Sequence, residues 1–107
     1  MKRSMSHAMA KQKRFSLHWG SGVVSEEVQI SAPYHFPTIQ LLTFMDGPAA
    51  GSEEIRFCVY DHRGRFQRMP CIIDAKDLPK LRAELDKAPR LRQLLSPTGM
   101  VRVIAPW

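Results

Sequence analysis

The sequence predicts an α+β fold, in which a small antiparallel sheet of three or four strands is followed by two C-terminal helices packed on one face. Short apolar segments separated by turn signals occupy the first part of the chain, and apolar residues recur at helical spacing only near its end. The sequence has no long crossover segments between its strands, which a parallel sheet would require. The predicted sheet is therefore an antiparallel meander.

Two early segments have the character of strands. The first is short, around residues 27–31, where Val28 and Ile30 lie two positions apart. The second covers residues 38–45, is rich in β-branched and apolar residues, and ends at the turn-forming sequence Asp46-Gly47-Pro48. Both are expected to contribute to the core of the sheet.

A hairpin over residues 54–73 is the best-defined element of the sequence. Residues 54–60 alternate, with Ile55, Phe57 and Val59 on a core face and Arg56, Cys58 and Tyr60 on an outward face. Asp61 opens a type I turn with Gly64 at its left-handed position, so that Asp61 faces Arg65 and Cys58 faces Arg68. Because Pro70 cannot donate a hydrogen bond, the return strand is predicted to be an edge strand or to bulge there.

Two helices are predicted after the hairpin. Asp77 can cap the first helix and Pro79 suits its first turn, while the spacing of Leu78, Leu81 and Leu85 gives an apolar stripe. Pro89 ends this helix and can open a second one. The second helix has its own apolar stripe, formed by Leu91, Leu94 and Leu95.

Charge and composition predict three regions. The net charge is +6, of which residues 1–20 supply +5 without any acid, so they are expected to form a disordered basic arm. Residues 21–97 form a single domain and residues 98–107 a C-terminal tail. The hydrophobic content of 44% excludes a wholly disordered chain. With no membrane-length apolar run and no signal-peptide core, the expected location is cytoplasmic, without a membrane partner.

No arrangement of residues indicates catalysis, a cofactor or a metal. The metal-ligating types, Cys58, Cys71, His35 and His62, lack the short paired spacing of structural zinc sites. Sequence motifs of nucleophilic hydrolases, phosphate-binding loops and zinc proteases are also missing. We therefore predict no catalytic, cofactor-binding or metal residues and no cofactor. An enzyme is the third and least favoured class, with Cys58 as its only candidate nucleophile.

The preferred interpretation of function is a small interaction module that binds a protein partner or a second copy of itself. An edge strand near Pro70 and aromatic residues in a proline-bounded loop favour this interpretation. Self-association would bury the edge and stabilise a small core. The expected partner contacts are Tyr34, Phe36, Pro70 and Trp107.

The alternative interpretation is a nucleic-acid-binding protein. It would use the basic arm together with a sheet face that combines arginines with Tyr60. The signature string of the common RNA-recognition sheet is absent, so this hypothesis depends on charge and aromatic placement alone. Its expected contact residues are Lys11, Lys13, Arg14, Arg56, Arg63, Arg65 and Arg68.

Overall fold

The computed structural model describes residues 12–96, which form five strands and two helices. The strands are β1 (Arg14–Leu17), β2 (Gly20–Gln29), β3 (Phe36–Asp46), β4 (Glu53–Tyr60) and β5 (Phe66–Gln67). A 3-10 turn (Ala75–Asp77) leads into α1 (Leu78–Leu85), and α2 (Pro89–Leu95) follows. The strands pair in sequence order and antiparallel throughout. The predicted α+β class and the two C-terminal helices are confirmed, but the sheet has five strands rather than three or four.

The sheet begins inside the segment that was predicted to be a disordered arm. β1 pairs with β2 from Arg14 opposite Val23 to Leu17 opposite Gly20. Phe15 is buried, and its ring meets the ring of Phe44 edge to face at 4.8 Å. This burial is why residues 14–17 belong to the domain, whose described part starts before residue 20. The tail at 98–107 lies outside the described residues.

The predicted strand at 27–31 overlaps only the end of β2, because Gly22 and a second register shift between Val24 and Glu26 interrupt the apolar pattern of the earlier residues. Gly22 lies where β2 and β3 shift register, and a Cβ at this position would overlap the carbonyl oxygen of Thr43. A glycine within a strand is typical of such close backbone approach. The same feature that breaks the alternation in the sequence therefore allows the two strands to pack closely.

The hairpin forms in the predicted register but is shorter than predicted. Tyr60 lies opposite Phe66, and the Asp61 N–H donates to the carbonyl of Arg65 at 2.9 Å, with Gly64 at a φ of 79°. β5 ends at residue 67, before Pro70, and the chain leaves the sheet. The predicted strand to residue 73 is therefore wrong, and no ladder sets Cys58 opposite Arg68.

The helices cover one face of the sheet. There Val28, Ile39 and Leu41 pack with Ala88 and Leu91 of the helical segment. Leu81, Leu85 and Leu95 join this cluster from the helices and Ile55 joins it from β4. Leu78 and Leu94 were assigned to the apolar stripes, but each is 42% exposed.

Two carboxylates cap the starts of helical elements, Glu26 at α2 and Asp74 at the 3-10 turn. Glu26 on β2 accepts hydrogen bonds from the backbone N–H groups of Arg90 (3.1 Å) and Leu91 (2.7 Å), which lie in the first turn of α2. Asp77 does not cap α1 with its side chain. Asp74 instead caps the preceding 3-10 turn by accepting from the N–H of Lys76.

The opposite face of the sheet is concave because the sheet curls strongly. The ammonium of Lys13, just before β1, lies 4.4 Å from the ring centroid of Tyr60 on β4, although β2 and β3 separate the two strands. The prediction that Cys58 and Tyr60 face outward is therefore wrong, since they are 3% and 9% exposed. Phe57 was assigned to the core, yet it is 56% exposed on the helix side of the sheet.

Within residues 12–96, neither helix has the length and apolar character needed to cross a membrane.

Candidate functional site

A hydrogen-bonded network centred on Gln40 organises the concave face. Gln40 is fully buried, and its amide nitrogen donates to the Glu27 carboxylate at 2.8 Å and to the Tyr60 hydroxyl at 3.0 Å. Its amide oxygen accepts from the Arg56 Nε at 2.9 Å and from the Cys58 thiol at 3.5 Å. Both ends of one buried amide are therefore satisfied by neighbouring strands, which fixes the positions of all four partners.

Two cations and two aromatic rings lie next to this network on the concave face. We name Lys13, Arg56, Tyr60 and Phe66 the basic aromatic patch. The Arg56 guanidinium lies 5.0 Å from the Phe66 ring centroid, and Lys13 covers the Tyr60 ring. The two rings meet edge to face at 5.7 Å. Both cation–ring distances are within the range for cation–π attraction.

The two cations of the patch differ in their availability. Lys13 forms an ion pair with Glu27 at 2.7 Å, so much of its charge is locally balanced. Arg56 donates from its Nε to Gln40, its side chain also interacts with the Cys58 thiol, and it forms no ion pair among residues 12–96. A guanidinium held in this way and stacked on a ring presents fixed N–H donors to a ligand.

The hairpin places further arginines beside the patch. Arg63 in the turn and Arg68 after β5 are exposed and form no ion pair in the described part of the chain. Arg65 instead pairs with Asp61 at 2.9 Å. Backbone N–H groups of Arg65 and Arg63 also donate to the Asp61 carboxylate, and they hold its pKa below the ordinary value.

One of the predicted nucleic-acid contacts within residues 12–96, Arg14, does not face this cluster. Arg14 alternates with Phe15 on β1, and because Phe15 faces the concave side, Arg14 faces the other side. Lys11 lies outside the described residues. The structure therefore links Lys13 and Arg56 through the rings of Tyr60 and Phe66, and Arg14 lies on the other face.

The predicted partner contacts within residues 12–96 differ in exposure. Tyr34 is 87% exposed, whereas Phe36 is half-buried with its ring edge to face against His62 at 4.7 Å. Pro70 is exposed and Trp107 lies outside the described residues. A groove of about 440 Å³ beside Tyr34 is lined by titratable side chains that have partners within the fold. His35 bonds the carbonyl of Ile72, Asp74 accepts from the Lys76 N–H, and Asp77 pairs with Lys80.

Cys58 lies in an environment that suppresses thiol reactivity. Burial raises the pKa of its thiol, which keeps the sulfur protonated near neutral pH, whereas reactive cysteines have lowered pKa values. Both cysteines are free. Within residues 12–96, no three metal-ligating side chains come together as a metal site would require.

Three residues of the site were not singled out from the sequence, namely Glu27, Gln40 and Phe66. Gln40 carried a usable signal, because it is a long polar side chain in the middle of the apolar run at 38–45. A buried polar residue is more informative than an exposed apolar one. Phe66 could have been found from the hairpin register, which places it opposite Tyr60, whereas Glu27 lies in a stretch of β2 whose pairing the sequence did not indicate.

Comparisons with protein-family models, with curated protein sequences and with solved structures give no match for this chain. Its function therefore has to be inferred from the residues of the site.

Proposed function

We propose that the protein binds single-stranded nucleic acid at the basic aromatic patch. The observation that supports this proposal most strongly is the position of the Arg56 side chain. Its guanidinium stacks on Phe66 and is fixed by Gln40, and it forms no ion pair among residues 12–96. Single-stranded nucleic acids are bound by this combination of a fixed cation and an aromatic ring, because bases stack on rings and guanidinium planes while phosphates seek cations.

The route of the chain adds to this support. The two basic regions of the sequence, the N-terminal segment and the hairpin, converge at the patch because Lys13 lies over Tyr60. Residues 1–11 precede Lys13 in the sequence and carry Lys2, Arg3 and Lys11 without an acid. A ligand on Phe66 would therefore lie beside Lys13 and beside the hairpin that carries Arg63 and Arg68. Clustered positive charge of this kind attracts a phosphate backbone.

Single strands are favoured over a duplex by the placement of the helices. Reading a duplex commonly requires a helix or a two-stranded ribbon that enters the major groove. Here both helices pack on the convex side, behind the sheet, and the patch is a curved sheet surface with Phe66 47% exposed. Exposed rings on a sheet suit unpaired bases, which can leave their stack.

The test measures the affinity of fluorescently labelled 12-nucleotide DNA and RNA pools by anisotropy at several salt concentrations. Arg56→Gln is expected to weaken binding about tenfold. It is also expected to reduce the slope of log affinity against log salt by about 0.7, the value for one lost phosphate contact on a single strand. The matched control is Arg82→Gln, which removes the same charge from an exposed position on α1.

A second pair of variants separates stacking from charge. Phe66→Leu keeps an apolar side chain but removes the ring, and we expect about a tenfold loss of affinity with an unchanged salt slope. Phe57→Leu makes the same change at an exposed phenylalanine on the other face and is expected to have no effect. Equal affinities for wild type, Arg56→Gln and Phe66→Leu would overturn the proposal.

The contribution of the N-terminal segment is measured by deleting residues 1–11 only, because a deletion to residue 20 would remove β1. We expect this deletion to weaken binding and to reduce the salt slope further, since it removes three basic residues. An unchanged salt slope would confine the site to the folded domain.

A further inference from the structure

The outer edge of β4 is largely uncovered. β5 pairs only with Val59 and Tyr60, so residues 53–58 have no neighbouring strand on that side within residues 12–96. The cause is local, since the chain turns out of the sheet before Pro70, which could not donate to a ladder. An open strand edge with unpaired backbone groups is a template for another strand.

The backbone groups that face this edge can be identified from the hairpin. The Asp61 N–H donates to Arg65 across the β4–β5 side, so the groups of alternate residues, Glu53, Ile55 and Phe57, point to the same side. The β3 side agrees with this assignment, because Pro37, which lacks an N–H, lies opposite Val59. Among the described residues, these outward groups have no backbone partner.

We infer that β4 pairs antiparallel with β4 of a second copy, with Ile55 at the two-fold axis. In an antiparallel pair, the residues whose backbone groups point outward must face one another. Because only residues 53–58 of β4 are unpaired on this side, the two-fold axis can pass through residue 54, 55 or 56. An axis at Glu54 would oppose two glutamates and an axis at Arg56 would oppose two arginines, both of which are unfavourable. The axis at Ile55 instead sets each Glu54 opposite Arg56 of the other copy.

The side chains along β4 fit this register on both faces. Glu54 and Arg56 share the concave side, where Arg56 forms no ion pair within residues 12–96 and Glu54 accepts a hydrogen bond from the Trp19 indole at 3.1 Å. Because a guanidinium has two terminal nitrogens, Glu54 of the other copy can bind one of them and leave the second for a phosphate. Ile55 and Phe57 share the helix side, and Phe57 is 56% exposed. Pairing would place the isoleucines of both copies next to each other on the helix side, so that their apolar surface is buried there while charge is paired on the other face. On the helix side each Phe57 would lie opposite Glu53 of the other copy, and that carboxylate is already paired with Arg90 of its own chain.

This dimer does not depend on nucleic acid, and it would join two five-stranded sheets into one continuous sheet. The basic aromatic patches of the two copies would then lie on the same side of that sheet, on either side of the axis. A two-fold interface of this kind closes on itself, so it predicts a dimer rather than a filament.

The first measurement is light scattering of the full chain, without nucleic acid, over a hundredfold range of concentration. The expected mass is twice the 12.2 kDa of one chain at the upper end of the range. Arg56→Glu would oppose glutamates and is expected to lower the dimer fraction at least tenfold, whereas Glu54→Arg combined with Arg56→Glu is expected to restore it. A monomer throughout the range would overturn the inference.

Disulfide trapping tests the register. In a Cys71→Ser background, Glu54→Cys and Arg56→Cys chains are prepared separately and mixed under mild oxidation. A facing pair without hydrogen bonds has its Cα atoms about 4.5 Å apart, a distance a disulfide can span. We expect the mixture to form a cross-linked dimer and each variant alone to remain uncrosslinked.

Other results would identify a different occupant of the edge. Cross-linking of Glu54→Cys alone or of Arg56→Cys alone would show a different register and would overturn the inference. A monomeric full chain that dimerises only after deletion of residues 98–107 would show that the chain's own tail occupies the edge, which would also overturn it. Nucleic-acid binding by a monomer would leave the proposed function intact, so the two proposals can fail separately.

Discussion

At the scale of single residues, Gln40 determines the arrangement of the concave face. It is fully buried and its amide bonds four side chains from neighbouring strands. A leucine of similar size would leave the Arg56 Nε and the Tyr60 hydroxyl without this partner. Leaving buried polar groups unsatisfied costs about 1–3 kcal/mol per group.

We therefore expect Gln40→Leu to lower the free energy of unfolding by about 2–4 kcal/mol. The control is Gln29→Leu, an exposed glutamine with a single side-chain bond to Thr38, for which we expect a loss below about 1 kcal/mol. Urea denaturation followed by circular dichroism measures both. Equal losses for the two variants would contradict the central role of Gln40.

Asp61 gives the hairpin a pH dependence of known sign. Hydrogen bonds from the backbone of Arg65 and Arg63 hold the pKa of Asp61 below its ordinary value of 3.8. Because the folded pKa is depressed, the stabilisation is present above the ordinary pKa and is lost as the pH falls through the folded pKa.

Asp61→Asn is expected to reduce stability at neutral pH by an amount that shrinks as the pH drops below about 4. Chemical denaturation of wild type and variant across this range measures the difference. A difference that stays constant from neutral to acidic pH would show that the Asp61 charge does not contribute to folding.

At the scale of elements, the N-terminus of α2 depends on a carboxylate from another strand. Glu26 accepts hydrogen bonds from the N–H groups of Arg90 and Leu91. Its negative charge also interacts favourably with the positive end of the helix dipole. We expect Glu26→Ala to lower the free energy of unfolding by about 1–2 kcal/mol and Glu26→Gln to lower it less.

The control for this prediction is Glu84→Ala, which removes a carboxylate that makes only a surface ion pair with Lys87. Surface pairs of this kind contribute about 0–1 kcal/mol. If Glu26→Ala proved no more destabilising than Glu84→Ala, the capping role of Glu26 would be refuted.

The elements that the sequence predicted well are those whose determinants are local. Turn chemistry at Asp61 and Gly64 gave the correct hairpin register, and prolines with spaced leucines gave both helices. The elements that were wrong depend on distant partners. β1 is short and lies in a basic segment, so only its packing of Phe15 against Phe44 distinguishes it from an arm.

The ends of the strands followed the same rule. Gly22 concealed the first half of β2, and Pro70 ended β5 sooner than its flanking apolar residues suggested. In each case the side-chain pattern predicted the wrong end of the strand, because a backbone constraint at one position decides where the strand begins or stops.

At the scale of the whole molecule, the curl of the sheet creates the site. It turns a face that was predicted to be solvated into a concave surface with its own buried network, and it brings Lys13 to Tyr60. No local pattern in the sequence encodes this curl, which explains why the contact between Lys13 and Tyr60 was not predicted. Charge alone could not separate Arg14, which faces the other side, from Arg56.

Binding at the basic aromatic patch is tested most directly by an amide correlation NMR titration of the full chain with a pool of short single-stranded DNA and RNA at physiological salt. Binding at the basic aromatic patch predicts shifts concentrated at Lys13, Gln40, Arg56, Tyr60 and Phe66, with the helices unaffected. Absence of any shift, or shifts spread over exposed basic residues such as Arg82 and Arg92 on the helices, would contradict the proposed site.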